Sequence, residues 1–391
     1  MQAQTLFTLL LSIFIALLGI GIIVPVIPVY AESLGASGFA LGMIIAAFSI
    51  SRGLLMPYTG SLSDSVGKKR FLIAGLLIYA LVGLLIPMAT KVSHLLLIRF
   101  FHGIGSAMIV PIAMAYISTL SPKGFEGRYM SYLNIAMFSG MGCGPILGGI
   151  IYDTLGFHAV FYMMALMSLI ACGLIIKNLS EEKSEEKKKP ANIFACMSAM
   201  IKNRRTLGIL IVRYSTMIVM VPSMAFLPLL MTNYHESTGT LVGIIIACRT
   251  FVNAALQIPF GKLTDKYDKL TLLLCGIALM ILALLIIPST TSVIVIGLSY
   301  SLMGIGEAII WPVLGAYATI EARNEYGHGA MMGFFNLSMS AGVLTGAILA
   351  GCSMDLLGIY WSFYSPAISI AIASGIGSLL IHRSSRNVIS V

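Results

Sequence analysis

The sequence predicts an all-α membrane protein of twelve transmembrane helices arranged in two pseudo-symmetric six-helix bundles, and three observations lead there. Of 391 residues, 58% are hydrophobic and 10% are charged, and the mean hydropathy is +0.96. A soluble core cannot hide that much apolar surface, so the chain belongs in a bilayer. Twelve apolar runs are long enough to span one, at 5–30, 39–59, 71–90, 93–118, 129–152, 157–177, 206–232, 239–260, 270–288, 292–318, 329–352 and 359–381. The third observation is a repeat. Gly103-Ile104-Gly105 returns as Gly304-Ile305-Gly306, Tyr116 as Tyr317 and Gly60-x-Leu62-x-Asp64 as Gly261-x-Leu263-x-Asp265, all 201 residues apart; after one added residue Asp153, Gly156 and Phe161 answer to Asp355, Gly358 and Phe363. Repeats of this length in an apolar chain mark transporters built from two packed bundles.

Each element has its own justification. The first run has no basic leader and no Ala-x-Ala pattern, and it carries Pro25 and Pro28, so it is expected to be retained as a helix. The second carries Arg52 and leads into Gly60-Ser61-Leu62-Ser63-Asp64-Ser65-Val66-Gly67-Lys68-Lys69-Arg70 before the third. The fourth holds Arg99-Phe100-Phe101-His102-Gly103, and the fifth Gly140-Met141-Gly142-Cys143-Gly144-Pro145-Ile146-Leu147-Gly148-Gly149. Those glycines permit tight helix contact and the proline bends the helix. The sixth run closes a first bundle at residues 1–178. Residues 179–205, with their mixed charges, read as a cytoplasmic linker that ends in a short surface helix near 192–203. Residues 206–391 form the second bundle. Its seventh span sets Arg213, Met217, Met220 and Met224 on roughly one face, and its eighth sets Arg249, Asn253 and Gln257 at i, i+4 and i+8. After the ninth, the tenth aligns Tyr300, Gly304, Glu307 and Trp311; the eleventh offers Met331, Phe335 and Met339 before the twelfth ends the bundle.

Orientation follows from the basic residues. With the N-terminus inside, nineteen Lys and Arg fall in inner loops and only Lys91 in an outer one, so both ends are expected in the cytoplasm. The net charge of +9 is that topology signal and is not a nucleic-acid footprint. Six scattered cysteines show no metal-ligand spacing and read as free, apolar packers.

The loop after the second span resembles the Gly-x-Leu-Ser/Ala-Asp-Arg-x-Gly-Arg/Lys-Arg/Lys signature of the major facilitator superfamily. Gly60, Asp64, Gly67 and Lys68 stand at matching positions, and Ser65 stands where that family usually has Arg. The second-half copy keeps Gly261 and Asp265 but has Asp268 at the place of Gly67. Arg99-x-x-His102-Gly103 is similar to the family's Arg-x-x-Gln-Gly, and Gly140 to Gly149 looks like the Gly-x-x-x-Gly-Pro-x-x-Gly-Gly motif of the twelve-helix drug:proton antiporter branch. The resemblance implies the major facilitator fold. It also implies gating roles for Gly60, Asp64, Gly67, Lys68, Gly140, Gly144, Pro145, Gly148, Gly149 and Asp265.

Five ionisable residues fall inside spans: Arg52, Arg99, Arg213, Arg249 and Glu307. Each costs about 2.5–3.5 kcal/mol at a helix centre on insertion scales, so each should face the bundle interior or water. Glu307 has Ser106 as its first-half counterpart, so the repeat does not demand an acid there. It is the leading candidate for proton coupling, with Arg99 beside it in that role; the bland reading is a structural tie to an arginine. Arg52, Arg213, Met217, Met220, Arg249, Asn253, Gln257, Trp311 and Phe335 are candidate cavity residues. Methionine suits ligands of varied shape, although core packing accounts for most of the twenty-four. His102 reads as a packing residue, and Asp153 and Asp355 as caps or outer-gate residues.

No Walker A sequence, Gly-x-Ser-x-Gly turn or His-Glu-x-x-His occurs, so an enzyme is excluded and energy must come from an ion gradient or the substrate's own. No cofactor and no metal are expected. The expected protein is a monomer in a bacterial or archaeal plasma membrane. Its partners are protons, the lipid bilayer and a small-molecule or lipid substrate, with no nucleic acid. Three functions compete: proton-coupled export of small amphipathic or hydrophobic compounds, lipid or glycolipid flipping, and transport of a specific metabolite.

Overall fold

A computed structural model describes residues 2–120, 126–179, 193–235, 237–321 and 328–389. The expected linker residues 180–192 and the side-chain surroundings of Gly60, Asp64, Asp265 and Cys196 lie outside the described residues. Among the described residues sixteen α-helices follow one another: α1 (Gln2–Ile23), α2 (Ile27–Ser33), α3 (Gly38–Val66), α4 (Lys68–Leu85), α5 (Val92–Ala107), α6 (Val110–Leu120), α7 (Glu126–Leu155), α8 (Phe157–Asn178), α9 (Ile193–Lys202), α10 (Arg204–Met217), α11 (Leu227–Leu229), α12 (Gly239–Lys266), α13 (Lys269–Ile286), α14 (Val293–Glu321), α15 (His328–Leu357) and α16 (Trp361–Ile389). Among the described residues twelve helical stretches, from Gln4–Ser33 to Trp361–Ser384, are long and apolar enough to cross a membrane. The expected all-α, twelve-span architecture is therefore present, and the cysteines Cys143, Cys172, Cys248, Cys275 and Cys352 are free thiols.

The chain divides into two compact units, Met1–Lys187 with Met224–Thr250 and Lys188–Ser223 with Phe251–Val391. In the first, α1 packs along α7 and α8, α3 along α5, and α4 along α5 and α8. In the second, α10 packs along α15 and α16, and α13 along α14 and α16. Small residues at repeat-related positions let these backbones approach, which is what drives helix association where lipid tails are as apolar as leucine. A Cβ on Gly75 of α4 would lie 2.8 Å from the Gly105 carbonyl of α5, and one on Gly276 of α13 would lie 2.9 Å from the Gly306 carbonyl of α14. The two glycine pairs are 201 residues apart, so one contact is built twice.

Helix ends show where the halves diverge. Gly67 joins α3 to α4 at φ 114°, a conformation that favours glycine, and donates its N–H to the Ser63 carbonyl. Its counterpart Asp268 takes φ −60° and caps α13 instead, accepting hydrogen bonds from the Thr271 hydroxyl and N–H, both at 2.8 Å. The departure from the loop signature is thus a change of cap. Those Thr271 bonds hold the Asp268 carboxyl below the usual carboxylate range. The cap's contribution to stability is therefore present above that range and lost as pH falls through the lowered value.

Among the described residues three spans are broken, and in two of them a side-chain hydroxyl donates to a carbonyl near the break. The first span turns between α1 and α2, ahead of Pro28. The fourth is interrupted at Met108 and Ile109 between α5 and α6, and the Thr59 hydroxyl donates to the freed Ala107 carbonyl at 2.7 Å. The seventh leaves α-geometry after Met217 and passes through π-helical turns at Pro222–Phe226 and Leu230–Tyr234, where the Tyr300 hydroxyl donates to the Ser223 carbonyl at 3.4 Å. Interrupted backbone survives at membrane depth only with such partners.

The loop charge bias supplies a test of orientation. Single-cysteine labels at Lys91, which is exposed, and at Glu236 should react from outside the cell, and a label at Lys187 only after permeabilisation; the reverse pattern overturns the expected topology.

Candidate substrate and coupling site

The first unit holds a cationic cluster on α3, α4 and α5. Arg99 is 9% exposed and stacks on the Phe48 ring, with its guanidinium carbon 4.6 Å from the ring centroid. Its Nη1 donates to His102 Nδ1 at 2.9 Å. A guanidinium only donates, so Nδ1 is the acceptor and the ring proton belongs on Nε2. His102 is fully buried, edge-on to Phe48 and Tyr79 at 5.0 and 4.7 Å. Its lone pair is therefore occupied, which supports the packing role over proton carriage. Arg52 is half-buried, and both it and Arg99 lie within electrostatic reach of Tyr79. The Nε atoms of Arg52 and Arg99 are buried without a hydrogen-bond partner among the described residues.

The second unit assembles the acid. Glu307 is 3% exposed on α14, and its Oε2 accepts from Asn253 Nδ2 of α12 at 3.2 Å. One turn further along α12, Gln257 Nε2 donates to Asn253 Oδ1 at 3.0 Å. The i, i+4 spacing noted in the sequence has become an amide chain that ends on a buried carboxylate. Arg213 of α10 lies within electrostatic reach of Glu307. It stacks on Phe335 at 4.6 Å and donates from Nη2 to Met339 Sδ at 3.2 Å. Glu307, Asn253, Gln257, Arg213 and Phe335 are thus gathered in one place. Met220 and Trp311 of this unit are half-buried, whereas Arg249, buried on α12, belongs to the first unit. Met217 sits 2% exposed against Gly342 in the contact of α10 with α15.

The fifth-span motif divides its contacts. Gly140, Gly144 and Gly148 of α7 face α1, where a Cβ on Gly144 would fall 2.5 Å from Gly21 Cα. Gly149 and the Pro145 carbonyl face Gly239 and Gly243 of α12. At the same end of α7, Asp153 caps α12: its carboxylate accepts from Gly239 N at 2.9 Å, from Thr240 N at 2.8 Å and from the Thr240 hydroxyl. Gly342 and Gly346, 202 residues after Gly140 and Gly144, make the equivalent backbone contacts with Tyr214 and Ile218.

One buried acid escaped the sequence reading. Glu321 at the end of α14 is 4% exposed; it accepts from the Thr206 hydroxyl at 2.8 Å and pairs with Arg205 Nε at 3.2 Å. Its position at the edge of an apolar run made it look like a loop charge. The only available signal was the Arg205-Thr206 pair opening the seventh span.

The Major Facilitator Superfamily profile matches residues 9–237 and 206–388. The chain is 30% identical over 386 residues to an uncharacterized MFS-type transporter of Methanocaldococcus jannaschii, covering 97% of this chain and 99% of that protein. It is 28% identical over 395 residues to multidrug resistance protein 2 of Bacillus subtilis, covering 99% and 97%. Its fold is similar to the crystal structure of the nucleoside transporter NupG, with a TM-score of 0.78 at 14% identity, covering 97% of this chain and 98% of the other. Twelve apolar helices, glycine contacts built twice and a family match over nearly the whole length have one reading: the chain belongs to the Major Facilitator Superfamily, and it is an integral membrane transporter and not an enzyme.

Proposed function

We propose that this transporter is a proton-coupled exporter of small amphipathic or hydrophobic compounds. It works by alternating access of the two halves that the repeat defines, residues 1–178 and 206–391. The observation that carries the reading is Glu307, a mid-span carboxyl held by the Asn253 amide within reach of Arg213. A coupling group must bind a proton in one state and release it in another, and a buried acid with neutral and cationic partners on two other helices is suited to both. Similarity to a protein named for multidrug resistance supports the export direction. The arginine-stacked Phe335 and the neighbouring Met339 offer the polarizable surface that such substrates need. In inverted membrane vesicles, an acid lumen should drive accumulation of members of a panel of lipophilic dyes, and a protonophore should abolish it. Accumulation indifferent to the pH gradient contradicts the proposal.

The charge of the first unit favours a second reading, flipping of an anionic lipid or glycolipid. In residues 1–179 the carboxylates Glu32, Asp64, Glu126 and Asp153 all stand at helix ends, whereas Arg52 and Arg99 lie mid-span beside Tyr79 and His102. Two such guanidiniums suit an anionic headgroup better than a cationic drug. Translocation of fluorescent anionic lipid in proteoliposomes, without dye extrusion, would select it.

A further inference from the structure

The surface helix α9 and the groove beneath it belong to neither reading. A cavity of about 240 Å³ lies between α10 and α15. Leu207, Ile211 and Tyr214 line one wall at i, i+4 and i+7, and Phe334, Leu337 and Ala341 line the other at i, i+3 and i+7. The helices meet in backbone contact where Gly342 faces the Tyr214 carbonyl, and that contact closes one end of the groove. At the other end Met200, fully buried, and Ile201 of α9 form the roof. The walls run along the helices for about 10 Å at the usual rise per residue.

Charge sits at the roofed end. Asn203 caps α10, accepting from Arg205 N at 3.0 Å and Thr206 N at 3.3 Å. Arg205 is engaged by Glu321, while Lys202 and Arg204 on either side of the cap are exposed. Two basic side chains and the positive end of a fourteen-residue helix therefore stand over an apolar slot. We propose that this groove is a binding site for one anionic phospholipid, with an acyl chain between α10 and α15 and the phosphate at Lys202, Arg204 and the start of α10. A lipid tail gains little from leaving other lipid tails. The slot therefore sets shape, and the basic pair sets the choice of headgroup.

The test uses the full-length protein, delipidated in mild detergent and titrated with phosphatidylglycerol or phosphatidylcholine under native mass spectrometry. Phosphatidylglycerol should form a single retained adduct about thirtyfold more readily than phosphatidylcholine, the loss of two cationic contacts being worth about that factor. The doubly neutralised variant Lys202→Gln with Arg204→Gln should level the two lipids, and Ala341→Trp, which fills the slot, should reduce the adduct of both. Both positions of the first variant are exposed, so its fold is not at issue. Equal binding of the two lipids by the native protein, a preference that survives the double variant, or adducts undiminished by Ala341→Trp would each overturn the assignment.

Discussion

Replacing Glu307 by Gln should uncouple transport from protons while leaving substrate binding in place. Gln keeps an oxygen that can accept from Asn253 Nδ2, the bond seen at 3.2 Å, but it carries no exchangeable charge. Site-to-site couplings are typically worth about 5–150-fold in affinity, so the shift in substrate affinity between about pH 6 and about pH 8 should fall from that range to less than about twofold. Accumulation driven by the pH gradient should disappear, while downhill equilibration of the same dye continues. Glu307→Asp should retain part of the coupling. If Glu307 only ties helices together, the Gln variant will instead lose stability because Arg213 loses its nearby anion, and neutralising Arg213 as well will restore it. Binding titrations and thermal unfolding on the single and double variants separate the two cases.

A large stability effect is expected at Gly144. A side chain there meets Gly21 Cα at 2.5 Å and Gly21 C at 2.6 Å, and backbone cannot swing aside as a flexible side chain can. Gly144→Leu must push α7 away from α1, and overpacking of this kind costs about 1–3 kcal/mol or more. The variant should insert in the membrane yet unfold at lower temperature in detergent and transport poorly. Gly173→Leu is the control, because no atom lies within 4 Å of a Cβ at that position. A Gly144→Leu protein as stable and active as that control would show that the close contact is dispensable.

Much of the architecture was legible because a bilayer forces it. Twelve apolar runs have to become helices, since no other open structure satisfies the backbone in lipid. The 201-residue repeat foretold that contacts would come in pairs, as at Gly105 and Gly306. The polar stripe on the eighth span was readable from spacing alone, and Asn253 and Gln257 do run toward Glu307. Other features depend on partners distant in sequence. Asp153 was readable as a cap or outer-gate residue, but nothing in the sequence announced that the helix it caps is α12, 86 residues away. Beyond the break after Met217 the Tyr300 hydroxyl reaches the Ser223 carbonyl, a pairing that a proline count does not contain. Glu321 was missed for the same reason: its burial depends on Arg205 and Thr206, which arrive from the start of another helix.

The central claim is that proton and substrate occupancy are linked through Glu307, and proton release from purified protein measures that link without a membrane or a gradient. A lipophilic dye shown to be extruded by vesicles is added to weakly buffered protein near neutral pH. The account predicts proton release on dye binding by the native protein and none by Glu307→Gln at matched occupancy. No release from the native protein, or equal release from the two, would contradict it.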